Sequence, residues 1–229
     1  MSEATEVQAV RVWDLPTRAF HWLLAASVVA LVITGNVGGN ALVWHMRVGL
    51  LVGALLMFRI VWGLIGGRWS RFANFIYAPT TVLRYLRGDH RSGDHFDVGH
   101  NPLGSFSVFA LLAVLAVQVG TGLVADDEIA TTGPLNRFVA SSTASLASGW
   151  HKSFGKTLLI VLAIAHVAAV LYYLWRKRRN LIAPMVHGDM SLPADATASK
   201  DGTAQRLAAL LIAAAAVGLA WWIGSLATA

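Results

Sequence analysis

Four histidines stand at the start of, or inside, long apolar runs of this sequence: His21, His45, His151 and His166. An imidazole in apolar surroundings costs free energy unless its nitrogens are hydrogen bonded or coordinate a metal. One buried histidine is commonly satisfied by a hydrogen bond to a neighbouring helix. Four of them in one chain are hard to explain in that way. They are therefore candidate ligands of a metal or of a metal-containing cofactor.

The composition indicates whether these residues belong to a soluble domain or to a membrane protein. The chain has 229 residues, of which 56% are hydrophobic and 13% charged, with a mean hydropathy of +0.58. Such a chain is too apolar for an ordinary soluble domain and is typical of a helical membrane protein. The lack of cysteine excludes disulfides, thiolate-ligated iron–sulfur clusters and a covalently attached c-type haem. Although the net charge is +6, the basic residues fall in loops between apolar runs, which indicates membrane topology and not nucleic-acid binding.

Five apolar runs are long enough to cross a bilayer as helices. The first begins near Pro16, which suits the first turn of a helix, and ends before the Gly- and Asn-rich segment 34–40. The other predicted helices cover Val43–Gly66, Leu103–Val124, Gly149–Trp175 and Ala204–Leu226. We therefore predict an all-α fold, an integral membrane four-helix bundle with an additional C-terminal transmembrane helix. The predicted parts are a flexible cytoplasmic arm (1–12), the bundle (13–188), a cytoplasmic linker (189–203) and the fifth helix (204–229).

The distribution of positive charge predicts the orientation in the membrane. Of the eighteen Lys and Arg residues, all but four fall on the side of the N-terminus, the exceptions being Arg47, Arg137, Lys152 and Lys156. By the positive-inside rule the N-terminus is cytoplasmic, and after five spans the C-terminus lies outside. A short segment, 79–86, is interpreted as a helix lying on the bilayer surface.

The predicted depth of each histidine in the membrane sorts the four histidines into two pairs. His21 begins helix 1 on the cytoplasmic side, whereas His45 and His151 begin helices 2 and 4 on the outer side. His166 lies fifteen residues beyond His151, about 22 Å further along the helix, which returns it towards the cytoplasmic side. The predicted pairs are therefore His21 with His166, and His45 with His151.

Sites with two histidines each limit the choice of metal. Zinc takes four ligands in structural sites and three plus water in catalytic ones, so a histidine pair suits it poorly. Two imidazoles on opposite faces of an iron porphyrin complete six-coordination and leave no open position, which favours electron transfer over oxygen chemistry. Two haems b at different depths would form a path for electrons across the bilayer.

Further residues are placed to assist the cofactor. Arg18 shares a helix face with His21 and is a candidate partner of a haem propionate, the alternative being an arginine that reaches lipid phosphates. Gly49 and Gly155 each lie four residues beyond a candidate ligand, where a glycine leaves room for a flat porphyrin. For Gly49, a close contact between helices is the alternative.

A polar turn precedes helix 3. His100 and Asn101 lie there at a predicted membrane surface, where a protonatable group could serve a quinone. An N-terminal capping turn is the alternative interpretation. The fifth helix has no buried polar residue, and it is interpreted as a surface for packing, for a partner or for an oligomer.

Several motifs in a fixed order carry a resemblance to a known family: VWDLPTRAFHW at 12–22, RIVWGLIG at 59–66, GHNP at 99–102, and Trp150-His151. The chain resembles the bacterial cytochrome b561 family, which includes the b-type cytochrome subunits of nickel–iron hydrogenases. The resemblance covers roughly residues 10–188. It implies four helices in the bacterial inner membrane that hold two b haems through histidines of helices 1, 2 and 4, here His21, His45, His151 and His166.

One spacing departs from the family. The fifteen residues from His151 to His166 are one more than is usual there, which rotates one ligand by about 100° unless the helix adjusts locally. The fifth helix also lies outside the four-helix core, which suits a partner specific to a subgroup.

Three hypotheses of function follow. The first is a respiratory electron relay between a periplasmic redox protein, either a hydrogenase or a c-type cytochrome, and membrane quinone near the cytoplasmic haem. The second is an enzyme that acts alone, a superoxide:quinone oxidoreductase, in which Lys152 and Lys156 attract the anion. The third is a non-redox membrane anchor with structural histidines. A reduced-minus-oxidised absorbance spectrum separates the third hypothesis from the other two.

Overall fold

The computed structural model describes residues 7–89, 96, 98–129, 131–193 and 196–228, and most of them are helical. In chain order the strands and helices are β1 (Val7–Arg11), α1 (Leu15–Val37), α2 (Ala41–Ile65), α3 (Pro79–Leu86), α4 (Pro102–Val124), α5 (Ser141–Gly149), α6 (Lys156–Trp175), α7 (Ile182–His187), β2 (Asp189–Pro193) and α8 (Thr203–Ser225). A π-helical turn, Trp150–Gly155, connects α5 to α6.

Five segments of the described chain are long and apolar enough to cross a membrane: α1, α2, α4, the continuous run Ser141–Trp175, and α8. This confirms the predicted all-α membrane fold. The short helix predicted at 79–86 is α3, and its position on the bilayer surface stays a prediction.

Helix α1 continues beyond its predicted end, through Thr34 and Asn36 to Val37. Thr34 Oγ1 donates to the carbonyl of Ala30 and Asn36 Nδ2 to that of Val32, so these polar side chains are satisfied inside the helix. The positive φ angles that reverse the chain occur only afterwards, at Gly38 and Gly39.

The chain divides into two compact units. Unit 1 comprises residues 1–19, 60–109 and 166–209, and unit 2 comprises residues 20–59, 110–165 and 210–229. The core of unit 2 includes the buried side chains Val52, Leu56, Leu115 and Leu159. Its α8 portion packs on α2 through Ala54, Ala216 and Ala220, where small side chains let the helices approach closely. A role of α8 in binding a partner or a second copy stays a prediction.

A two-stranded antiparallel sheet in unit 1 corrects part of the predicted domain plan. Strand β1 pairs with β2, with Val7 opposite Pro193 and Arg11 opposite Asp189. Val10 and Leu192 are buried there with other apolar side chains, which explains why the pairing forms. Residues 7–11 are therefore not a flexible arm, and residues 189–193 are not an open linker. The first six residues of the predicted arm lie outside the described residues.

Ion pairs and hydrogen bonds of charged side chains also stabilise the region around this sheet. Arg11 bonds Asp189 at 2.5 Å and Asp201 at 2.6 Å. Asp201 also accepts from the Leu15 N–H at the start of α1 and from Arg206 in the first turns of α8. The hydrogen bond from Arg11 lowers the pKa of Asp189. Its stabilising contribution is therefore kept at neutral pH and is lost only as the pH falls through the lowered pKa.

Candidate functional site

His45 lies in the first turns of α2, and its ring is held by the main chain of α1. The Nδ1 atom is 3.1 Å from the carbonyl oxygen of Leu31 and 3.3 Å from Oγ1 of Thr34. Since a carbonyl oxygen only accepts hydrogen bonds, Nδ1 carries the proton of the neutral ring. The Nε2 atom is then unprotonated, which is the state that a metal ligand needs.

His151 is held in the same way by α4. Its Nδ1 atom lies 2.9 Å from the carbonyl oxygen of Gln118 and 3.4 Å from Oγ1 of Thr121. In both cases the threonine follows the accepting residue by three positions. The two histidines therefore share one tautomer, with Nε2 available for coordination.

A glycine lies against each ring, one position after the threonine. A Cβ atom at Gly35 would be 3.0 Å from Cε1 of His45, and one at Gly122 would be 2.9 Å from Cε1 of His151. Carbon atoms normally pack at ~3.5–4.0 Å, so glycine allows the rings to come this close. Sequence analysis missed Gly35 and Gly122, although the Thr-Gly pair in each apolar run was an available signal.

The two held rings lie next to each other. The ring centres of His45 and His151 are 5.9 Å apart and the ring planes meet at 84°. A metal bound to one nitrogen of each ring lies about 2 Å from each nitrogen, which places the ring centres roughly 6 Å apart. The observed separation suits two imidazoles that share one metal. Among the described residues no cluster of three or more His, Cys, Asp or Glu side chains could hold a metal ion.

A cavity of about 450 Å³ lies beside the two rings, within the range of about 300–1,000 Å³ usual for ligand sites. His45, His151, Gly49, Lys152 and Lys156 are among its lining residues. A Cβ atom at Gly49 would meet nothing within 4 Å. This open space is what the predicted role of Gly49 beside a flat cofactor requires.

Gly155 differs from its predicted role. It does not line the cavity, and a Cβ atom there would lie 2.1 Å from Oε1 of Gln118. It therefore makes room for a glutamine side chain and not for a cofactor. The reason is that Gly155 belongs to the π turn, where the residue five positions on shares a face with His151. That residue is Lys156, which does line the cavity.

The π turn also accounts for the unusual spacing between His151 and His166. A π turn takes one more residue than an α-helical turn for nearly the same rotation. The turn at Trp150–Gly155 begins one residue before His151. It therefore absorbs the additional residue between His151 and His166, which is the local adjustment that the spacing predicts.

The second predicted pair falls in separate units. His21 belongs to unit 2, where its ring lies edge-on to Trp22 with centres 5.0 Å apart. His166 belongs to unit 1, where its Nδ1 atom is 3.4 Å from Oγ of Ser107. Their pairing stays a prediction. Arg18, in the first turn of α1, donates from Nη1 to the carbonyl of Val186.

The polar turn before α4 contains a helix cap. Asn101 Oδ1 accepts the main-chain N–H of Gly104 at 2.8 Å, which is the capping arrangement considered as the alternative. The His100 ring packs against Trp13 and Phe75, with ring centres 4.8 Å and 4.5 Å away. The cap uses only Oδ1 of Asn101 and does not test whether this turn binds a quinone. A quinone-binding role for His100 and Asn101 therefore stays a prediction.

Asp14 is a buried carboxylate whose network the sequence analysis did not foresee. It is 0% exposed and accepts hydrogen bonds from the main chain of Thr17 and Gly67, the indole of Trp62 and the hydroxyl of Ser70. The bond from Thr17 caps α1. The network fixes the start of α1 against the end of α2 within unit 1.

Fold and site together define a class, that of helical membrane proteins with a pair of part-buried histidines as a candidate site for a metal-containing cofactor. The sequence pattern of the family described as prokaryotic cytochrome b561 matches residues 12–188. The chain belongs to this family. It is 24% identical to a probable Ni/Fe-hydrogenase B-type cytochrome subunit of Rhizobium leguminosarum bv. viciae, over 82% of this chain and 91% of the relative. It is 23% identical to a probable Ni/Fe-hydrogenase 1 B-type cytochrome subunit of Escherichia coli K12, over 77% of this chain and 88% of the relative.

The family implies a haem b, and the residues of unit 2 fit one. His45 and His151 are both held at Nδ1, which leaves Nε2 for coordination, and their rings have the separation of two ligands of one metal. The glycines and the adjoining cavity provide space beside the rings.

Proposed function

We propose that this chain is a transmembrane dihaem b-type cytochrome that relays electrons between a periplasmic redox protein and the membrane quinone pool. The observation that carries the proposal is the matched pair His45 and His151, each held at Nδ1 by a carbonyl of the preceding long helix. Two hydrogenase-subunit relatives support a hydrogenase as the partner. A c-type cytochrome is the other partner that suits the outer site.

The histidines act as ligands in two pairs. His45 and His151 would hold the outer haem, and His21 and His166, matched by depth, the cytoplasmic one. Bound there, an iron porphyrin supplies reversible one-electron transfer. The hydrogen bonds at Nδ1 fix the orientation of each outer ring and raise the basicity of its other nitrogen. Arg18 remains a candidate for a propionate of the cytoplasmic haem.

The overall reaction balances electrons and protons. With a hydrogenase as partner, one H₂ gives two protons and two electrons, and one quinone takes two electrons and two protons to become quinol. Quinone would bind near His100 and Asn101, where Asn101 also donates to the hydroxyl of Tyr173. Replacing His100 with Ala should slow quinone-linked electron transfer and leave both haem spectra unchanged. Loss of a haem in that variant would assign His100 a structural role instead.

The decisive experiment is spectroscopic. The chain purified from membranes should show b-type bands in a reduced-minus-oxidised spectrum, and its haem should be reduced by H₂ when the hydrogenase partner is present. A chain without b-type bands would be the non-redox anchor. Reduction by a c-type cytochrome and not by hydrogenase would change the partner but not the relay.

A superoxide:quinone oxidoreductase is the second candidate, favoured by the two lysines of the outer cavity. Lys152 and Lys156 line the cavity next to His45 and His151, and their charge would attract an anion. Two superoxide anions would give two O₂ and two electrons, which reduce one quinone with two protons. Superoxide-dependent quinone reduction by the isolated chain, lost when both lysines are replaced with Gln, would favour this candidate.

The orientation belongs to the same proposal: N-terminus in the cytoplasm and C-terminus in the periplasm of the bacterial inner membrane. Because the chain has no cysteine, single cysteines placed at Ser2 and Ala229 can be labelled without background. A membrane-impermeant reagent applied to whole cells with a permeable outer membrane should label only the second. Labelling of the first would reverse the orientation.

A further inference from the structure

Gln118 is a buried polar residue inside a mostly apolar helix, and it contacts His151 twice. Its side chain is part of a residue that is 8% exposed. Its Nε2 atom donates to the main-chain oxygen of His151 at 3.1 Å. Its own main-chain oxygen accepts from Nδ1 of the same histidine at 2.9 Å. One residue of α4 therefore holds both the ring and the backbone of a candidate haem ligand.

The backbone contact falls inside the π turn. A change from α-helical to π-helical bonding shifts the ladder of main-chain hydrogen bonds by one residue, so a side-chain donor at this point can stabilise the departure from α geometry. At the end of this turn the Lys156 N–H bonds the carbonyl of Ser153. The carbonyl of His151 receives the amide of Gln118. Gln118 thus supplies a hydrogen bond where the helix departs from α geometry.

The other histidine of the pair provides an internal comparison. His45 is held at Nδ1 by the carbonyl of Leu31, the position on α1 that corresponds to Gln118 on α4. Leu31 has no polar side chain, and α2 runs as a regular α-helix through His45. The glutamine side chain therefore occurs at the ligand with the π turn and is absent at the ligand without one.

Gly155 allows this contact to form. A Cβ atom at position 155 would lie 2.1 Å from Oε1 of Gln118 and 2.5 Å from Nε1 of Trp150. Any side chain larger than that of glycine would collide with these two atoms. Alanine at 155 would therefore push the Gln118 amide away from the π turn. The chain therefore offers two independent ways to remove the same contact.

We infer that Gln118 is a positioning residue that maintains the π turn and thereby sets the position and rotation of the His151 ring. This inference rests on the proposed haem site at His45 and His151. Without the amide, the carbonyl of His151 loses its hydrogen bond from Gln118, and the turn relaxes towards another hydrogen-bonding pattern. The ring then turns relative to that of His45.

The test compares the full-length protein with Gln118→Met, which keeps the length of the side chain and removes its donor. Ring planes at 84° should give the outer ferric haem the strongly anisotropic low-spin electron paramagnetic resonance signal of nearly perpendicular ligands. Gln118→Met should reduce that anisotropy and shift the outer midpoint potential, with the other haem unchanged. Hydrogen–deuterium exchange of the π turn should become roughly two- to tenfold faster, as expected for one lost hydrogen bond.

Gly155→Ala should reproduce the same spectral change, and it decides the question if Gln118→Met does not accumulate. Ser105→Ala is the matched control, because Ser105 is a buried polar residue of the same helix whose hydroxyl bonds the carbonyl of Phe75. It should leave the outer signal and the exchange of the π turn unchanged.

An unchanged signal and unchanged exchange in Gln118→Met would overturn the inference. So would equal effects of Gln118→Met and Ser105→Ala. If the wild-type protein held no haem, the proposed function would fail on its own. The exchange comparison would still decide whether Gln118 maintains the turn, because it requires no cofactor.

Discussion

The clearest prediction concerns Gly122, which lies against the His151 ring. In Gly122→Ala the new methyl group would be 2.9 Å from Cε1 of His151 and 3.2 Å from Nδ1. Carbon atoms pack at ~3.5–4.0 Å, so the ring must move by at least about 0.6 Å. It is held at Nδ1 by the carbonyl of Gln118 and cannot move without weakening that bond.

Gly120 provides the matched control for this substitution. It lies two residues earlier on the same helix, and a Cβ atom there would meet nothing within 4 Å. Both variants gain about 1 kcal/mol of helix propensity from Gly to Ala. The difference between them therefore isolates the contact with the ring.

Overpacking of this kind costs about 1–3 kcal/mol, which corresponds to roughly 5- to 150-fold weaker retention of the outer haem. The assay is the rate at which excess apomyoglobin removes haem from the detergent-solubilised protein, followed by absorbance. Gly122→Ala should lose one haem faster by that factor, while Gly120→Ala should match the wild type. Equal haem loss from the two variants would refute the placement of His151 against α4.

Three further predictions address the whole site. Pyridine haemochrome analysis should give about two haems b per chain, because four histidine ligands form two bis-histidine pairs, and a value near one would remove one pair. His21→Ala and His166→Ala should abolish one spectral component, and His45→Ala and His151→Ala the other; if His21→Ala and His45→Ala abolished the same component, the pairing by depth would be wrong. Asp14→Asn should destabilise the protein by about 1–3 kcal/mol, since its amide group would face buried N–H and O–H donors; an unchanged melting temperature would contradict the buried network.

The sequence was sufficient to select the candidate ligands, because a histidine in an apolar run is conspicuous wherever the run folds. The five apolar helices and the short helix α3 followed from hydropathy and turn residues. The need for a local adjustment near His151 also followed, since it depends only on counting residues along one helix.

The remaining parts of the site depend on the rotation of one helix against another. Gly35 and Gly122 act on histidines of the next long helix, and periodicity within α1 or α4 does not reveal which face meets that histidine. Gly155 shows the converse error, because its offset of four from His151 has a different meaning in a π turn. The sheet was missed because β1 and β2 are short and lie 178 residues apart at the Arg11–Asp189 pair.

The ion pairs of Arg11 with Asp189 and Asp201 set a rule for the number of times that the chain between them crosses the membrane. Residues joined by hydrogen bonds outside the bilayer lie on one side of it, so the chain between Arg11 and Asp189 must cross an even number of times. Four of the five apolar segments lie in that interval, which satisfies the rule. Asp201 bonds the first residue of α1 and an arginine in the first turns of α8. These two spans therefore start on the same side and run in the same direction. That arrangement requires an odd number of crossings between them, and the three apolar segments between α1 and α8 meet this requirement.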